Sequence, residues 1–229
     1  MRAPRDQAER PHMRSFLQLT SAFALGVSAL TPVAAHSLAE LQAMLVRQER
    51  YFQPVDKAAP QFKLRDAHNR VVDLTDFRGK VIVLHFIRTS SEDEGSARHA
   101  QRIAELQSMI NLSPMKARVE FISITTDPNK DTPDVLRAYG RLHGLDHTNW
   151  VFLTTMAEQS EATTRKLAEQ FEHKVASQDE AYQAQGFAMH VIDKDGRWRG
   201  NFLGLKFEPT NLVVFVNALV NDIAKPHAH

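Results

Sequence analysis

The run Val81–Ile87 constrains this chain most, because seven residues in a row are apolar except His85. A strand with one wet face alternates; an unbroken run signals a strand covered on both faces, in the middle of a sheet. A second buried strand follows at Val119–Thr125. Between them, residues 92–110 carry helical spacing with Ala97, Ile103, Leu106 and Ile110 as core candidates. The chain can supply such a core: of 229 residues, 43% are hydrophobic and 24% charged, enough for one globular domain without disulfides or a structural metal.

The remaining elements order themselves around that centre. Leu38, Leu41, Leu45 and Val46 space a short amphipathic lead-in helix within 37–50, and Pro54 and Pro60 mark an extended linker after it. Phe62 and Leu64, then Val71, Val72 and Leu74, flank 66–70 as a hairpin with Asn69 in the turn. Asp131, Thr132 and Pro133 start a helix running to about Leu142, since Asp or Thr accepts from an orphan N–H and proline suits the first turn. Trp150–Leu153 reads as a strand, 156–171 as a helix, and Ala188–Ile192 and Arg199–Leu203 as a hairpin about Asp193-Lys194-Asp195-Gly196. A helix over 210–224 closes the chain with Leu212, Phe215, Val216, Leu219 and Ile223 on one face. This order predicts an α/β, thioredoxin-like fold: a central mixed sheet flanked by helices, with an N-terminal hairpin.

The N-terminus has a separate purpose. Arg14 precedes an apolar run from Phe16 to Leu30, Pro32 breaks it, and Val33, Ala34 and Ala35 supply a small-residue cleavage site. Residues 1–35 are therefore expected to be a secretory signal peptide, with 36–57 as lead-in helix and linker and 58–225 as the domain. The protein is expected outside the cytoplasm, in the periplasm of a bacterium. The alternative is an uncleaved N-terminal anchor, the one route to membrane contact, though the run is short for a span. Cleavage removes Arg2, Arg5, Arg10 and Arg14 against Asp6 and Glu9, which leaves the mature chain near neutral. No cluster of excess Lys or Arg exists, so nucleic acid is not an expected partner.

Four stretches point to one family: Gly79-Lys80-Val81-Ile82-Val83-Leu84, Asp127-Pro128-Asn129-Lys130-Asp131-Thr132-Pro133, Trp150-Val151-Phe152-Leu153-Thr154, and Val191-Ile192-Asp193-Lys194-Asp195-Gly196. In this order they resemble the SCO/SenC family, exported thioredoxin-fold proteins implicated in copper delivery to cytochrome c oxidase. The resemblance covers about residues 58–223. It implies two cysteines in a loop opening the first helix of the fold and a histidine before the late hairpin, together holding copper. Counting from Gly79-Lys80 places Ser91 and Gly95 at the cysteine positions, and counting back from Asp193 places Gln185 at the histidine.

The sequence contains no cysteine at all. Because the thiolate is both the nucleophile of thiol exchange and the preferred ligand of soft copper, the implied copper and thiol chemistry do not carry over. Disulfide reductase and thiol peroxidase activity are excluded on the same ground, and no catalytic residue or cofactor is expected. A Ser-His-Asp hydrolase built from Ser90 or Ser91, His190 and Asp127 lacks a nucleophile elbow. Ser91-Glu92-Asp93-Glu94 reads as a capping box whose acids complement the helix dipole.

Two specific readings follow, beside a third in which the thioredoxin-like domain has a role unrelated to respiration. The first is a binding or accessory protein connected with respiratory oxidase assembly, whose protein partner, an oxidase subunit or assembly factor by resemblance, meets Ser91, Glu92, Asp93, Glu94, Asp127, Asp131 and Gln185. The second is a metal protein using His190, His85 and Glu92 or Glu94, although His85 and His190 also read as hydrogen-bonded core residues. His190 and Gln185, five apart, are expected to face opposite ways on a regular strand. His143 and His147 flank Gly144 in an expected loop, and His36, His227 and His229 read as frayed tails.

Overall fold

The computed structural model describes residues 37–90, 94–172 and 187–222. The expected signal peptide, Ser91, Glu92, Asp93, Gln185 and the tail histidines lie outside them. The lead-in helix α1 spans Leu38–Gln48 behind a capping box in which Ser37 and Glu40 exchange side-chain-to-backbone bonds. It buries Leu41 and Leu45, whereas Val46, expected on the same face, is 53% exposed. Glu49 ends this segment with a carboxylate that accepts from Tyr51 N–H at 3.1 Å, Glu208 N–H at 3.0 Å and Asn211 Nδ2 at 2.9 Å. The last helix starts at Pro209 with no side-chain cap from Glu208, and Glu49 ties that helix start to the lead-in segment by holding the Glu208 N–H and the Asn211 side chain.

The stretch expected as a linker is instead strand β1, Phe52–Ala58, paired antiparallel with β8, Arg197–Leu203. Pro54 is tolerated because β1 is the sheet edge, where a missing N–H breaks no ladder. The ring of Phe52 lies over Gly200, where a Cβ would stand 2.7 Å from Cε2.

The hairpin forms as expected from β2, Lys63–Asp66, and β3, Val71–Asp73, with Asn69 left-handed at φ 63°. Strands β4, Val81–Ile87, and β5, Val119–Thr125, have the bounds read from their apolar runs and every residue buried. With β6, Trp150–Thr154, and β7, Ala188–Ile192, they complete one eight-stranded sheet in the order β1-β8-β7-β4-β5-β6-β2-β3. The pairs β4–β5 and β5–β6 are parallel and the others antiparallel, which makes the sheet mixed.

Alternation along β4 sorts its side chains onto two faces. Val81 and Val83 meet α1, α2 (Glu94–Asn111) and α5 (Pro209–Asn221), in a core with Ile103, Leu106, Phe121, Met189 and Phe215. Ile82, Leu84 and Phe86 pack on the other face with Leu167 of α4, Ala162–Gln170, and with Phe171 and Trp198. Helix α3, Pro133–Leu142, sets Leu136 against Ile87 and Ala67. Two helical readings need correction. Ala97 is exposed, and Ala100 takes the inward position on α2. Residues 156–160 turn before α4, held by Met156 N–H donating to Gln159 Oε1 at 2.9 Å and Ala162 N–H to Ser160 Oγ at 3.2 Å.

Candidate functional site

At the carboxyl ends of β4 and β5, where parallel strands discharge into loops that carry function, one carboxylate joins two loops. Asp131 Oδ2 accepts from Thr89 N–H at 3.1 Å and from Thr125 Oγ1 at 2.5 Å, and its Oδ1 accepts from Thr89 Oγ1. Thr125 Oγ1 accepts in turn from Asp127 N–H at 2.9 Å, and Asp131 N–H closes the turn on Asp127 O at 2.9 Å. Asp131 is 0% exposed. This burial takes Asp131 off the expected partner surface, and of the two residues expected to cap α3, Asp or Thr, it is the threonine that does so. Thr132 caps α3 by accepting from Val135 N–H at 3.4 Å, and Asp131 faces inward as a clamp. Its negative charge adds to burial in pushing the Tyr139 hydroxyl up to about 12, burial being the larger cause. Asp127 stays partly exposed, 3.7 Å from Lys130 Nζ.

Gly95 lies in the first turn of α2. Glu94 opens that helix. Ser91, Glu92, Asp93 and Gln185 fall outside the described residues, so the structure joins Asp131 to Thr89 and Asp127 but does not test the rest of the expected surface.

The two candidate histidines do not meet. His85 shares the face of Val81 and Val83, with Nε2 2.8 Å from Ser123 Oγ, which also receives the Trp150 indole N–H at 2.9 Å. His190 points to the opposite face. Its Nδ1 lies 2.8 Å from Asn201 Oδ1, which also accepts Trp198 Nε1–H at 2.7 Å, while Asn201 Nδ2 donates to Gln53 Oε1 at 3.0 Å. An amide oxygen only accepts, so this network assigns a proton to His190 Nδ1. Phe86, Phe171 and Trp198 pack around the ring at centroid distances of 5.9, 5.0 and 5.4 Å. A metal held jointly by His85 and His190 would need both rings on one side of the sheet, and they are not.

A third imidazole, missed in the sequence, borders the site instead. His99 of α2 is buried, with its ring 5.3 Å from His85 and 4.8 Å from Phe187. The signal was available: positions 99, 103, 106 and 110 share one helical face, and the residues expected there included Ala97 but not His99. Among the described residues no three His, Asp or Glu side chains gather as a metal site. His143 and His147 straddle the turn at Gly144, φ 65°, with His143 4.3 Å from the Tyr139 ring and its pKa lowered by burial. A recess of about 300 Å³ opens elsewhere, between β2 and α4, lined by Phe62, Lys63, Leu64, Gln159, Lys166 and Leu167 among others, with no histidine or carboxylate.

The mixed sheet and the βαβ crossovers around β4 and β5 define a thioredoxin-like domain. Its family follows from comparison with known proteins: the SCO1/SenC family model matches residues 52–220, and this chain belongs to that family. It is similar to the SCO2-like protein of Rickettsia prowazekii, 28% identical over 185 residues that cover 78% of this chain and 84% of the relative. Among solved structures it resembles BsSco, described as a member of the Sco family of cytochrome c oxidase assembly proteins with a disulfide switch, at TM-score 0.63 and 20% identity over 74% of this chain and 96% of that one. It also resembles yeast Sco1 with copper bound, at TM-score 0.58 and 15% identity over 76% of this chain and 98% of the other.

A copper–thiolate site does not fit this sequence. Thiolate is absent from the whole sequence, and the buried imidazoles His85 and His190 stand on opposite faces of the sheet.

Proposed function

We propose that this chain is an exported accessory or binding protein connected with cytochrome c oxidase assembly, acting without thiol or copper–thiolate chemistry. The observation that carries the reading is a contrast within one protein. The loops at the carboxyl ends of β4 and β5 are clamped together by Asp131, while the sequence holds no cysteine to place on them. Loops held in a fixed geometry can present to a partner what it reads without any metal or thiol: shape and exposed polar groups. Arg88, Ser90, Asn129 and Lys130 are exposed at this end of the sheet and make the described part of that surface. The link to oxidase assembly is supported by family membership, and export by the apolar run and small-residue site before His36.

Untagged protein isolated from its own host under mild conditions tests the reading. Oxidase subunits or assembly factors are expected to co-purify, and substituting Arg88 and Lys130 together with alanine is expected to reduce their recovery. Isolation without such partners, or recovery indifferent to the substitutions, contradicts it.

A further inference from the structure

We infer that Asp131 is a positioning residue that makes the loop leaving β4 and the loop between β5 and α3 move as one unit. An isolated ionised carboxylate is costly to bury, and this one is 0% exposed with no ion pair to a cation among the described residues. What stabilises it is a set of donors: both the N–H and the hydroxyl of Thr89, and the hydroxyl of Thr125. Two of these three come from a residue 42 positions earlier in the chain, on the other loop.

A helix-capping role does not account for the arrangement, because Thr132 provides the cap of α3. Nor does general core packing, because the contacts run through polar atoms at the ends of strands that apolar residues hold independently. A backbone bond from Thr126 N–H to Ile87 O, 2.9 Å, lies beside the clamp and ties the strand ends, but it stops before Thr89. Beyond Ile87, Asp131 alone among the described residues hydrogen-bonds the Thr89 backbone to the other loop. The inference concerns the mechanics of the two loops and stands whether or not oxidase assembly factors are the partner.

Hydrogen exchange of the full chain, resolved at residues 88–90 and at β5, separates the clamp from ordinary stabilisation. Asp131→Asn puts an NH₂ group among donors, and Thr89→Val removes the hydroxyl from the exposed side of the contact. Both are expected to accelerate exchange at 88–90 by roughly 10- to 100-fold, the factor expected for losing a bond to a buried charge. Amides 121–124 of β5 are expected to keep their wild-type rates, and Thr89→Ser, which restores the hydroxyl, to return 88–90 toward wild type. If Asp131→Asn does not fold, Thr89→Val and Thr89→Ser carry the comparison alone. Unchanged exchange at 88–90, parallel acceleration through β5, or failure of Thr89→Ser to rescue would overturn the inference.

Discussion

His85 and His190 are both about 1% exposed and sit on neighbouring strands of one sheet, yet they occupy different kinds of place. His190 is enclosed by the β7–β8 hairpin: an amide fixes one nitrogen, three aromatic rings pack around it, and the amide is itself held from β1. His85 belongs to the site end. Its ring is oriented by Ser123 and Trp150, and its next neighbour is the ring of His99 on the helix that opens at Glu94. Burial alone therefore does not separate a core histidine from one beside a site; what its neighbours are anchored to does.

Truncation of the enclosed ring should have the largest effect. His190→Ala leaves a cavity among Phe86, Phe171 and Trp198 and unpairs Asn201, so a loss of about 3–4 kcal/mol is expected in urea unfolding with the m-value unchanged. Ser123→Ala should cost less, about 1–2 kcal/mol, because it removes one oxygen shared by His85 and Trp150 and leaves little empty volume. Equal losses at the two positions would abolish the distinction between an enclosed and a site-bordering histidine.

The smallest effect is tied to pH and sits beside α3, in the β2–β3 turn. Burial pushes the Asp66 carboxyl up, but the Arg70 backbone N–H, the Arg70 guanidinium and the His68 N–H together outweigh it and hold the pKa below 3.8. A depressed folded pKa means stabilisation that is complete above the unfolded value and is lost as pH falls through the folded one. The stability difference between wild type and Asp66→Asn should accordingly be constant down to about pH 5 and shrink below it. A difference that grows on acidification would contradict the sign.

Much of the fold was legible because β4, β5 and the Asn69 and Gly196 turns are specified by local pattern: unbroken apolar runs and positions of positive φ. Strand β1 was not, since its edge position leaves mostly exposed residues and a proline, the pattern of an extended linker; only pairing with β8 distinguishes the two. The site was less legible still. Asp131 sits in a polar motif that resembles a surface loop, and its burial depends on Thr89, 42 residues away. His99 was hidden by a small error of helical frame at Ala97, which moved the inward face away from it. Parity along β4 and β7 separates His85 from His190, but parity within each strand fixes a shared face only once the pairing Leu84–His190 is known.

The central claim is that this SCO1/SenC chain keeps the family fold and has given up its copper–thiolate chemistry. Copper(I) titration of the untagged mature protein against a competing chelator tests it most directly, with His227→Ala/His229→Ala protein alongside to account for the tail. The account predicts no stoichiometric high-affinity copper in either protein. One equivalent of tightly held copper that persists without the tail histidines would contradict it.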